Sequence, residues 1–366
     1  MIKILEGNCI DKLQEINDES VDCVVTSPPY WGLRDYGTAT WEGGKEDCPH
    51  FRTSHQSEHT ITGQKKSVLY GGIGDSIYKS VCKLCGAKRI DQQLGLEDTP
   101  EEYVQSMVKI FREVKRVLKD HGTVWLNLGD SYASTRPMGT SGNDIDAYGE
   151  LSKDIHKDKG GLKNKLVGSL KQKDLVGIPW RGAFGLEDDG WYLRQDIIWS
   201  KPNPMPESVK DRCTKSHEYI FLLSKKSHYY YDSESIKEPT INVGADNTVG
   251  GNKYPGKYQN VGKSKNNYKD SGTKNKRSVW SITVKSYTEA HFATFPVEIP
   301  EICIKASSKE GDTVLDIFAG AGTTGLVADR LGRNAILIEL NKDYIKLIED
   351  RLRNDAPMFM EIKKEN

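Results

Sequence analysis

Short apolar runs, separated by turns and helical patterns, occur at both ends of the chain. Residues 2–5 and 21–25 form one pair of runs, with a helical pattern over 9–15 between them. Residues 313–318 and 334–339 form a second pair, also with a helical pattern between them. Runs of this kind, bounded by turn residues, are typical of buried strands. The alternation of strand and helix predicts an α/β fold.

A long helical pattern begins after Thr99. Pro100 suits the first helical position, and Glu102 is placed as in a capping box. The His-Gly pair at 121–122 is expected to end this helix. Residues 123–132 follow as a strand that runs into a turn.

Three more regular segments are predicted in the second half of the chain. Residues 174–186 have a helical pattern, and 191–206 form a strand that enters a proline-rich loop. Residues 217–231 are interpreted as a pair of strands, in which Glu218 is expected to be structural. Asp130, which follows an earlier strand, is expected either to border a ligand pocket or to cap a turn.

The composition says little about partners. The mean hydropathy is −0.61, and no apolar run approaches the roughly 18 residues that span a bilayer. The start of the chain lacks a signal-peptide pattern, so a cytoplasmic location is the expectation.

The 52 basic and 52 acidic residues cancel, and the net charge neither indicates nor excludes a polyanionic partner. Residues 253–277 are basic with interleaved tyrosines, which suits either a nucleic-acid contact or a solvated loop.

A glycine-rich turn follows the first of the two C-terminal strands. Gly320 and Gly322 would let a ligand approach the backbone closely, and Glu339 stands at the tip of the next strand, where a carboxylate can accept both ribose hydroxyls. Asp316 would repel a pyrophosphate but would pair with an amino group. S-adenosylmethionine carries a ribose and an amino group without phosphate. It is therefore favoured over a nicotinamide dinucleotide and over a purely structural βαβ unit.

A stiff turn, Thr-Ser-Pro-Pro-Tyr-Trp, follows the strand at 21–25. Pro28 and Pro29 cannot continue a strand, because proline lacks the N–H and has a fixed φ. In a doubly wound sheet, ligands bind beyond the carboxyl ends of the strands, where the strand order reverses. A substrate on Ser27 and Tyr30 would then face a cofactor on the glycine-rich turn. A purely structural turn is the alternative.

Together the two turns resemble the motifs of amino-group DNA methyltransferases of the permuted β class. In that class a catalytic Ser/Asp/Asn-Pro-Pro-Tyr/Phe motif precedes the target-recognition region, and the cofactor loop comes last. The matching residues are Ser27, Pro28, Pro29 and Tyr30 in the first motif and Phe318, Gly320, Gly322, Thr323 and Thr324 in the second. The resemblance implies a Rossmann-like S-adenosylmethionine-dependent methyltransferase sheet. It also implies a circularly permuted motif order. The fold therefore carries inserted zinc-binding and target-recognition segments, which lie outside the core pattern of the class.

Two further segments resemble cofactor-binding parts of the same class. The segment that contains His291, Thr294 and Phe295 resembles the one that precedes the cofactor loop. Asn8 and Cys9 lie in a turn that resembles the adenine-pocket turn of these enzymes. The usual residue in the place of Asn8 is Asp.

The resemblance implies methyl transfer to the exocyclic amine of a flipped base. Ser27 Oγ and the Pro28 carbonyl can accept the two amine N–H groups, and Pro29 helps to aim that carbonyl. Tyr30 can stack on the base. A serine in the first position favours cytosine N4 over adenine N6. Methylation of a protein glutamine or of RNA, and a non-catalytic zinc-bearing DNA-binding module, are the alternatives.

A C5-cytosine methyltransferase is not indicated. Such an enzyme would need a cysteine nucleophile, usually after a proline, whereas Cys213 follows an arginine. Cys213 is expected to be a buried structural thiol, and Cys9, Cys23 and Cys303 are expected to be buried as well.

A CxxCG turn and a Cys-x-His pair predict a zinc site within an insertion. Cys82 and Cys85 form the usual knuckle of a zinc ribbon, and Cys48 and His50 supply the other two ligands. Four protein ligands would make the zinc structural. Another histidine of the insertion, at 55 or 59, could replace the one at 50, and unligated thiols are the alternative.

The proline-rich loop after the strand at 191–200 resembles a substrate-side loop of these enzymes. Lys201, Asn203 and Arg212 are its candidates for contact with DNA, with a rigid structural loop as the alternative. Double-stranded DNA is the expected partner. A cognate restriction endonuclease and a homodimer are left open.

These predictions divide the chain into regions. They are residues 1–36 and 95–135 as the catalytic half of the core, 37–94 as the zinc-binding insertion, 136–173 as a flexible loop, 174–238 as core strands with the substrate-side loop, 239–278 as a basic target-recognition or flexible segment, and 279–366 as the cofactor-binding half.

Overall fold

The computed structural model describes most of the chain. The described residues are 1–33, 36–52, 76–78, 80–133, 167–240, 272–284, 295–355 and 362–365. Their helices are α1 (Cys9–Gln14), α2 (Pro100–Val117), α3 (Ile178–Asp188), α4 (Glu298–Ser307), α5 (Thr323–Arg330) and α6 (Lys342–Asp355). Their strands are β1 (Ile2–Glu6), β2 (Val21–Thr26), β3 (Thr40–Glu42), β4 (Phe51–Arg52), β5 (Ser76–Ile77), β6 (Lys88–Ile90), β7 (Leu118–Leu128), β8 (Tyr192–Ser200), β9 (His217–Ser224), β10 (Glu238–Pro239), β11 (Thr273–Lys274), β12 (Val279–Ser281), β13 (Thr313–Asp316), β14 (Asn334–Glu339) and β15 (Ile362–Glu365). No helix in these ranges combines the length and the apolarity needed to cross a membrane.

A nine-stranded sheet in the order β12-β8-β9-β7-β2-β13-β14-β1-β15 forms the centre of the described structure. Its neighbouring strands are parallel except where β9 pairs with β7 and with β8. Strand β2 leads to β7 on one side, and β13 leads to β14 on the other, so the strand order reverses between β2 and β13. The prediction of an α/β fold with a Rossmann-like sheet is confirmed. In sheets of this kind ligands bind where the strand order reverses, which here is beyond the carboxyl ends of β2 and β13.

Apolar side chains cover both faces of this sheet. In β2, Val24 belongs to the core beneath α2, whereas Cys23 and Val25 point to the opposite core beneath α4 and α5. This burial on both faces explains why the strands are continuous apolar runs rather than alternating ones. Cys9, Cys23 and Cys303 are buried, as expected.

Helix α2 begins as predicted but ends earlier. Thr99 Oγ1 accepts a hydrogen bond from the Glu102 N–H at 3.1 Å, which is the predicted cap. The helix ends at Val117, and the His-Gly pair at 121–122 lies within β7 instead of terminating the helix. The pairing of β7 with β2 is irregular at this point, and a Cβ on Gly122 would lie 2.9 Å from the Asp22 carbonyl oxygen. The pair therefore accommodates a bulge against the neighbouring strand.

The predicted strand pair at 217–231 is wrong, because only its first half is a strand. Strand β9 is already paired on both edges, with β7 and with β8, so no edge is left for a hairpin partner. The chain leaves the sheet after Ser224, and the Tyr230 N–H donates to the His121 carbonyl at 2.8 Å.

Helix α3 begins later than the pattern at 174–186 predicts. Gly177 precedes the helix with a φ of 78°, in the left-handed region. Asp130 Oδ1 accepts hydrogen bonds from the Gly177 N–H at 3.0 Å and the Ile178 N–H at 3.2 Å. The expected capping role of Asp130 is therefore confirmed, and its place at the border of a ligand pocket stays a prediction.

Candidate active site and metal centre

Asp316 joins the two predicted motifs at the point where the strand order reverses. Its side chain is 1% exposed. Oδ1 accepts from Thr26 Oγ1 at 2.7 Å and from the Phe318 N–H at 3.1 Å, and Oδ2 accepts from Thr324 Oγ1 at 2.6 Å. Burial raises the pKa of Asp316, and these hydrogen bonds oppose that rise. The carboxylate therefore fixes the cofactor loop to β2, and its pairing with a cofactor amine stays a prediction.

The glycines of the cofactor loop are needed for different structural reasons. Gly320 and Gly322 have φ values of 51° and 73°, in the region that favours glycine. A Cβ on Gly320 would meet nothing closer than 3.9 Å, so its backbone borders open space. A Cβ on Gly325 would lie 2.5 Å from Leu337 Cδ1, which shows that Gly325 lets α5 approach β14. The loop thus leaves room for a ligand at Gly320 and packs closely against β14 at Gly325.

Glu339 ends β14 and faces this loop, as predicted. Its Oε2 accepts the Gly320 N–H at 2.7 Å, and its Oε1 accepts the Asn341 N–H at 2.8 Å. Burial raises the pKa of Glu339 to about 7. The carboxylate thus sits beside the glycine-rich loop, while its contact with a ribose stays a prediction.

The predicted adenine-pocket turn lies next to Glu339. The Gly7 N–H donates to the Glu339 carbonyl at 2.9 Å, and Asn8 caps α1 by accepting the Ile10 N–H at 2.9 Å. Cys9 is 8% exposed. The side-chain oxygen of Asn8 thus has a capping role in the protein itself.

Of the three candidates that precede the cofactor loop, the structure describes one. Phe295 is half-buried and packs against the core that lies beneath α4 and α5. His291 and Thr294 lie outside the described residues.

The predicted catalytic turn is braced from two sides. The Pro29 carbonyl accepts from Tyr103 Oη of α2 at 2.9 Å. The Tyr30 ring lies against Gly129, where a Cβ would be only 2.4 Å from Tyr30 Cε2. This bracing fixes the backbone around the Pro28 carbonyl.

A polar cluster that the sequence did not reveal surrounds Ser27 and Tyr30. Tyr30 Oη donates to Glu218 Oε2 at 2.7 Å. Asn127 Nδ2 lies 2.6 Å from Tyr30 Oη, 2.9 Å from Glu218 Oε2 and 3.4 Å from Ser27 Oγ. Burial, followed by the charge of Glu218, raises the pKa of Tyr30 well above its usual range. Glu218, which was expected to be only a structural residue of its strand, thus contacts the predicted catalytic turn. The sequence pointed to this cluster only through Asn127, a polar residue inside an apolar run.

The structure brings the four predicted metal ligands together. The ligand atoms of Cys48, His50, Cys82 and Cys85 all lie within 4.8 Å of one another. The Sγ atoms of Cys48 and Cys82 are 3.7 Å apart, which fits the roughly 3.8 Å between two thiolates on a tetrahedral zinc. Histidines 55 and 59 lie outside the described residues.

The surroundings of the cluster act differently on its thiols. The pKa of Cys48 is raised, because the lowering by the His50 N–H is outweighed by burial and the neighbouring thiols. The N–H groups of Lys45 and Ala87 lower the pKa of Cys85 to about 7. Gly44 leaves room for that sulfur, because a Cβ there would lie 2.7 Å from Cys85 Sγ. The donor set therefore fits zinc.

The three DNA-contact candidates already have polar partners in the protein. Lys201 pairs with Glu218. Asn203 makes hydrogen bonds of 3.0 and 2.9 Å with the Val284 carbonyl and N–H. Arg212 Nη1 lies 2.6 Å from Glu207 Oε2. Their contacts with DNA stay predictions.

The expectation for Cys213 is wrong, because its side chain is exposed. Cys213 lies in the loop between β8 and β9, outside both cores. The apolar character of cysteine does not by itself bury a residue whose neighbours in the chain are polar.

Comparison with known proteins identifies the family of the chain. A family model described as DNA methylase, N6_N4_Mtase, matches residues 21–350. The Type II methyltransferase M.SmaI of Serratia marcescens is 40% identical over 353 residues, which cover 96% of this chain and 90% of that protein. M.Cfr9I of Citrobacter freundii is 38% identical over 353 residues, covering 96% of this chain and 88% of that protein.

Solved structures share the fold. A DNA modification methylase of Thermus thermophilus, crystallised with S-adenosyl-L-methionine, has a TM-score of 0.51 and 19% identity, with 100% of both chains covered. The cytosine-N4-specific PvuII DNA methyltransferase has a TM-score of 0.53 and 16% identity, with 96% of this chain and 86% of that chain covered. The chain therefore belongs to the N6_N4_Mtase family of DNA methylases, and it is an S-adenosylmethionine-dependent DNA methyltransferase of the cytosine-N4 or adenine-N6 type.

Proposed function

We propose that this enzyme transfers a methyl group from S-adenosylmethionine to N4 of a cytosine flipped out of duplex DNA. The observation that carries the proposal is the hydrogen bond between Thr26 and Asp316, which fixes the Ser27 turn beside the glycine-rich loop. A substrate on the first would face a cofactor on the second. Ser27 in the first motif position favours cytosine over adenine.

The proposed methyl transfer depends more on hydrogen-bond acceptors for the target amine than on a general base. An exocyclic amine is conjugated with its ring and is a poor nucleophile, so the site must hold its two N–H groups and raise electron density on nitrogen. We assign this role to Ser27 Oγ and the Pro28 carbonyl. Tyr103 holds the adjoining Pro29 carbonyl, which keeps this acceptor in place. The sulfonium methyl is already activated, so positioning supplies most of the rate enhancement.

For the cofactor, we propose that Glu339 accepts the ribose hydroxyls and that the loop from Phe318 to Thr324 surrounds the methionine part. Asn8 and Cys9 would line the adenine side, with Phe295, His291 and Thr294 before the loop. The order of the motifs, catalytic turn first and cofactor loop last, supports the circularly permuted class. In that order, the basic segment at 239–278 takes the place of the target-recognition region.

We further propose that Cys48, His50, Cys82 and Cys85 hold a structural zinc ion. Four protein donors would close a tetrahedral coordination sphere, so the ion would stabilise the fold of the insertion and take no part in methyl transfer. The type II relatives support a cognate restriction endonuclease as a functional partner. A cytoplasmic enzyme would meet its DNA directly.

The test is transfer of labelled methyl groups to duplex DNA, followed by digestion to nucleosides and mass spectrometry. We expect N4-methylcytosine, and we expect Ser27→Ala to lower the rate by about 100-fold or more, the usual cost of removing one group that stabilises a transition state. Ser20→Ala, just before the same strand, is the matched control. N6-methyladenine as the product would reassign the base. Transfer to protein or RNA but not to DNA would overturn the proposal.

A further inference from the structure

The hydroxyl of Tyr30 is held at two points by residues outside the catalytic motif. It donates to Glu218 Oε2 at 2.7 Å and accepts from Asn127 Nδ2 at 2.6 Å. The other oxygen of Glu218 is paired with the Lys201 ammonium. Both oxygens of this carboxylate therefore have partners, and its orientation is fixed.

These partners lie on neighbouring strands of the central sheet. Asn127, on β7, is 3% exposed. Glu218, the second residue of β9, lies opposite Trp199 of β8. Lys201 follows β8, with its ammonium 4.3 Å from the centre of the Trp199 ring. The cluster is thus built on rigid elements instead of on the catalytic turn itself.

Gly129 restrains the ring of Tyr30 from another direction. A Cβ at Gly129 would lie 2.4, 2.9 and 3.1 Å from Cε2, Cδ2 and Cζ of Tyr30. The ring therefore rests against the backbone that follows β7. Contact along the ring together with a fixed hydroxyl leaves the ring little freedom to tilt.

We propose that Glu218 is a positioning residue, which holds the Tyr30 ring at the tilt needed to stack on the flipped base. The inference rests on the proposed stacking role of Tyr30 and adds a residue from outside the motif. Removing the carboxylate would take away the acceptor of the Tyr30 hydroxyl and leave that hydroxyl held only from the Asn127 side, while the Asn127 amide would lose one of its acceptors. The observed hydrogen bonds of Glu339 and Asp316 involve none of these groups, so cofactor binding should not depend on Glu218.

The test compares Glu218→Ala, Glu218→Gln, Tyr30→Phe and the double variant Glu218→Ala/Tyr30→Phe. We expect Glu218→Ala and Tyr30→Phe each to lower kcat by about 10- to 100-fold, because a small misplacement of a reacting group has this effect. The KM for S-adenosylmethionine should change less than about twofold, since the loss concerns positioning of the base. Glu218→Gln should recover part of the kcat that Glu218→Ala loses, because its amide oxygen can still accept from Tyr30, whereas its NH2 group, a donor, cannot replace the oxygen that pairs with Lys201.

The double variant is the decisive measurement. If Glu218 acts through Tyr30, the kcat of the double variant should lie within about threefold of the kcat of the slower single variant, since the effects of coupled residues do not add. Multiplying effects, or a rise in the KM for S-adenosylmethionine equal to the fall in kcat, would overturn the proposal. Glu113→Ala, which breaks an ion pair with Arg116 on α2, is the control and should keep the parent kcat.

Gly129→Ala provides a second route if Glu218→Ala lowers the midpoint of thermal unfolding. It displaces the Tyr30 ring without removing a polar group, and it should give the same selective loss of kcat. Parent kcat in Gly129→Ala would contradict the proposed need for a fixed tilt. Because nucleoside analysis identifies the methylated atom independently of these rate ratios, failure of the proposed function and failure of this inference are distinguishable.

Discussion

At the residue scale, the carboxylates of Asp316 and Glu339 contact the glycine-rich loop in different ways. Asp316 is buried below the glycine-rich loop and is satisfied by donors from the protein itself. Glu339 faces the same loop and accepts the Gly320 N–H. Burial raises the pKa of both, and for Glu339 to about 7. The charge of Glu339 therefore changes within the pH range in which the enzyme can be assayed.

Binding of S-adenosylmethionine is predicted to strengthen as the pH rises from 6 to 8. The raised pKa of about 7 means that Glu339 is largely protonated at pH 6, and ribose hydroxyls donate best to the ionised form. Binding thus favours loss of the proton, and affinity should fall by up to about tenfold per pH unit below 7. Isothermal titration calorimetry across this range is the measurement. Glu339→Gln should bind more weakly and with a flat pH profile, and an unchanged slope in that variant would contradict the assignment.

At the element scale, the insertion with the cysteine cluster is attached to the cofactor edge. Strands β3 and β6 pair within the insertion. At its base, the Tyr36 N–H donates to Gln93 Oε1 at 2.7 Å. Asn341 Nδ2 donates to the Tyr36 carbonyl at 3.2 Å, and the Asn341 N–H is a donor to Glu339. A change in the order of the insertion can therefore reach the Glu339 carboxylate through Gln93, Tyr36 and Asn341.

Loss of the metal is predicted to destabilise the insertion and to weaken cofactor binding. Elemental analysis of the purified protein should find about one zinc per chain, and Cys82→Ser should lose it, because all four donors are needed to close the site. The Kd for S-adenosylmethionine should rise by about fivefold, the equivalent of one hydrogen bond. Cys213→Ser, which changes an exposed cysteine, is the matched control. Full zinc content in Cys82→Ser would exclude the proposed ligand set.

At the scale of the whole molecule, the two ends of the chain build one edge. Strand β1 pairs with β14, and β2 pairs with β13. The hydrogen bond between Thr26 and Asp316 joins residues that are 290 positions apart in the sequence. The catalytic turn and the cofactor loop therefore become neighbours only when the sheet is complete.

Asp316→Ala is predicted to lower the free energy of unfolding by about 2 to 4 kcal/mol, because each buried donor left without a partner costs roughly 1 to 3 kcal/mol. The donors concerned are the buried hydroxyls of Thr26 and Thr324 and the N–H of Phe318, of which the Thr324 hydroxyl keeps a second acceptor, the Val25 carbonyl, at 3.4 Å. Urea unfolding of the protein without cofactor is the measurement. Thr40→Val, at an exposed strand position, is the control and should change stability little. Parent stability in Asp316→Ala would show that the carboxylate does not hold the two halves together.

Local interactions explain what the sequence by itself determined. Apolar runs predicted β1, β2, β13 and β14, and the cap at Thr99 predicted the start of α2. The glycine turn and the metal cluster were also predictable, because their residues have fixed conformational or coordination requirements at short spacing. Each of these features depends mainly on neighbours in the chain.

The tertiary structure alone decided the features that depend on distant partners. Helix α2 ends at Val117 because β7 pairs with β2, and 217–231 holds one strand because both edges of β9 are occupied. Asn127 and Glu218 meet Tyr30 only because β2 and β7 end, and the antiparallel β9 begins, at one edge of the sheet. A sequence pattern records which residues prefer burial or a turn, whereas strand order decides which side chains come within hydrogen-bonding distance.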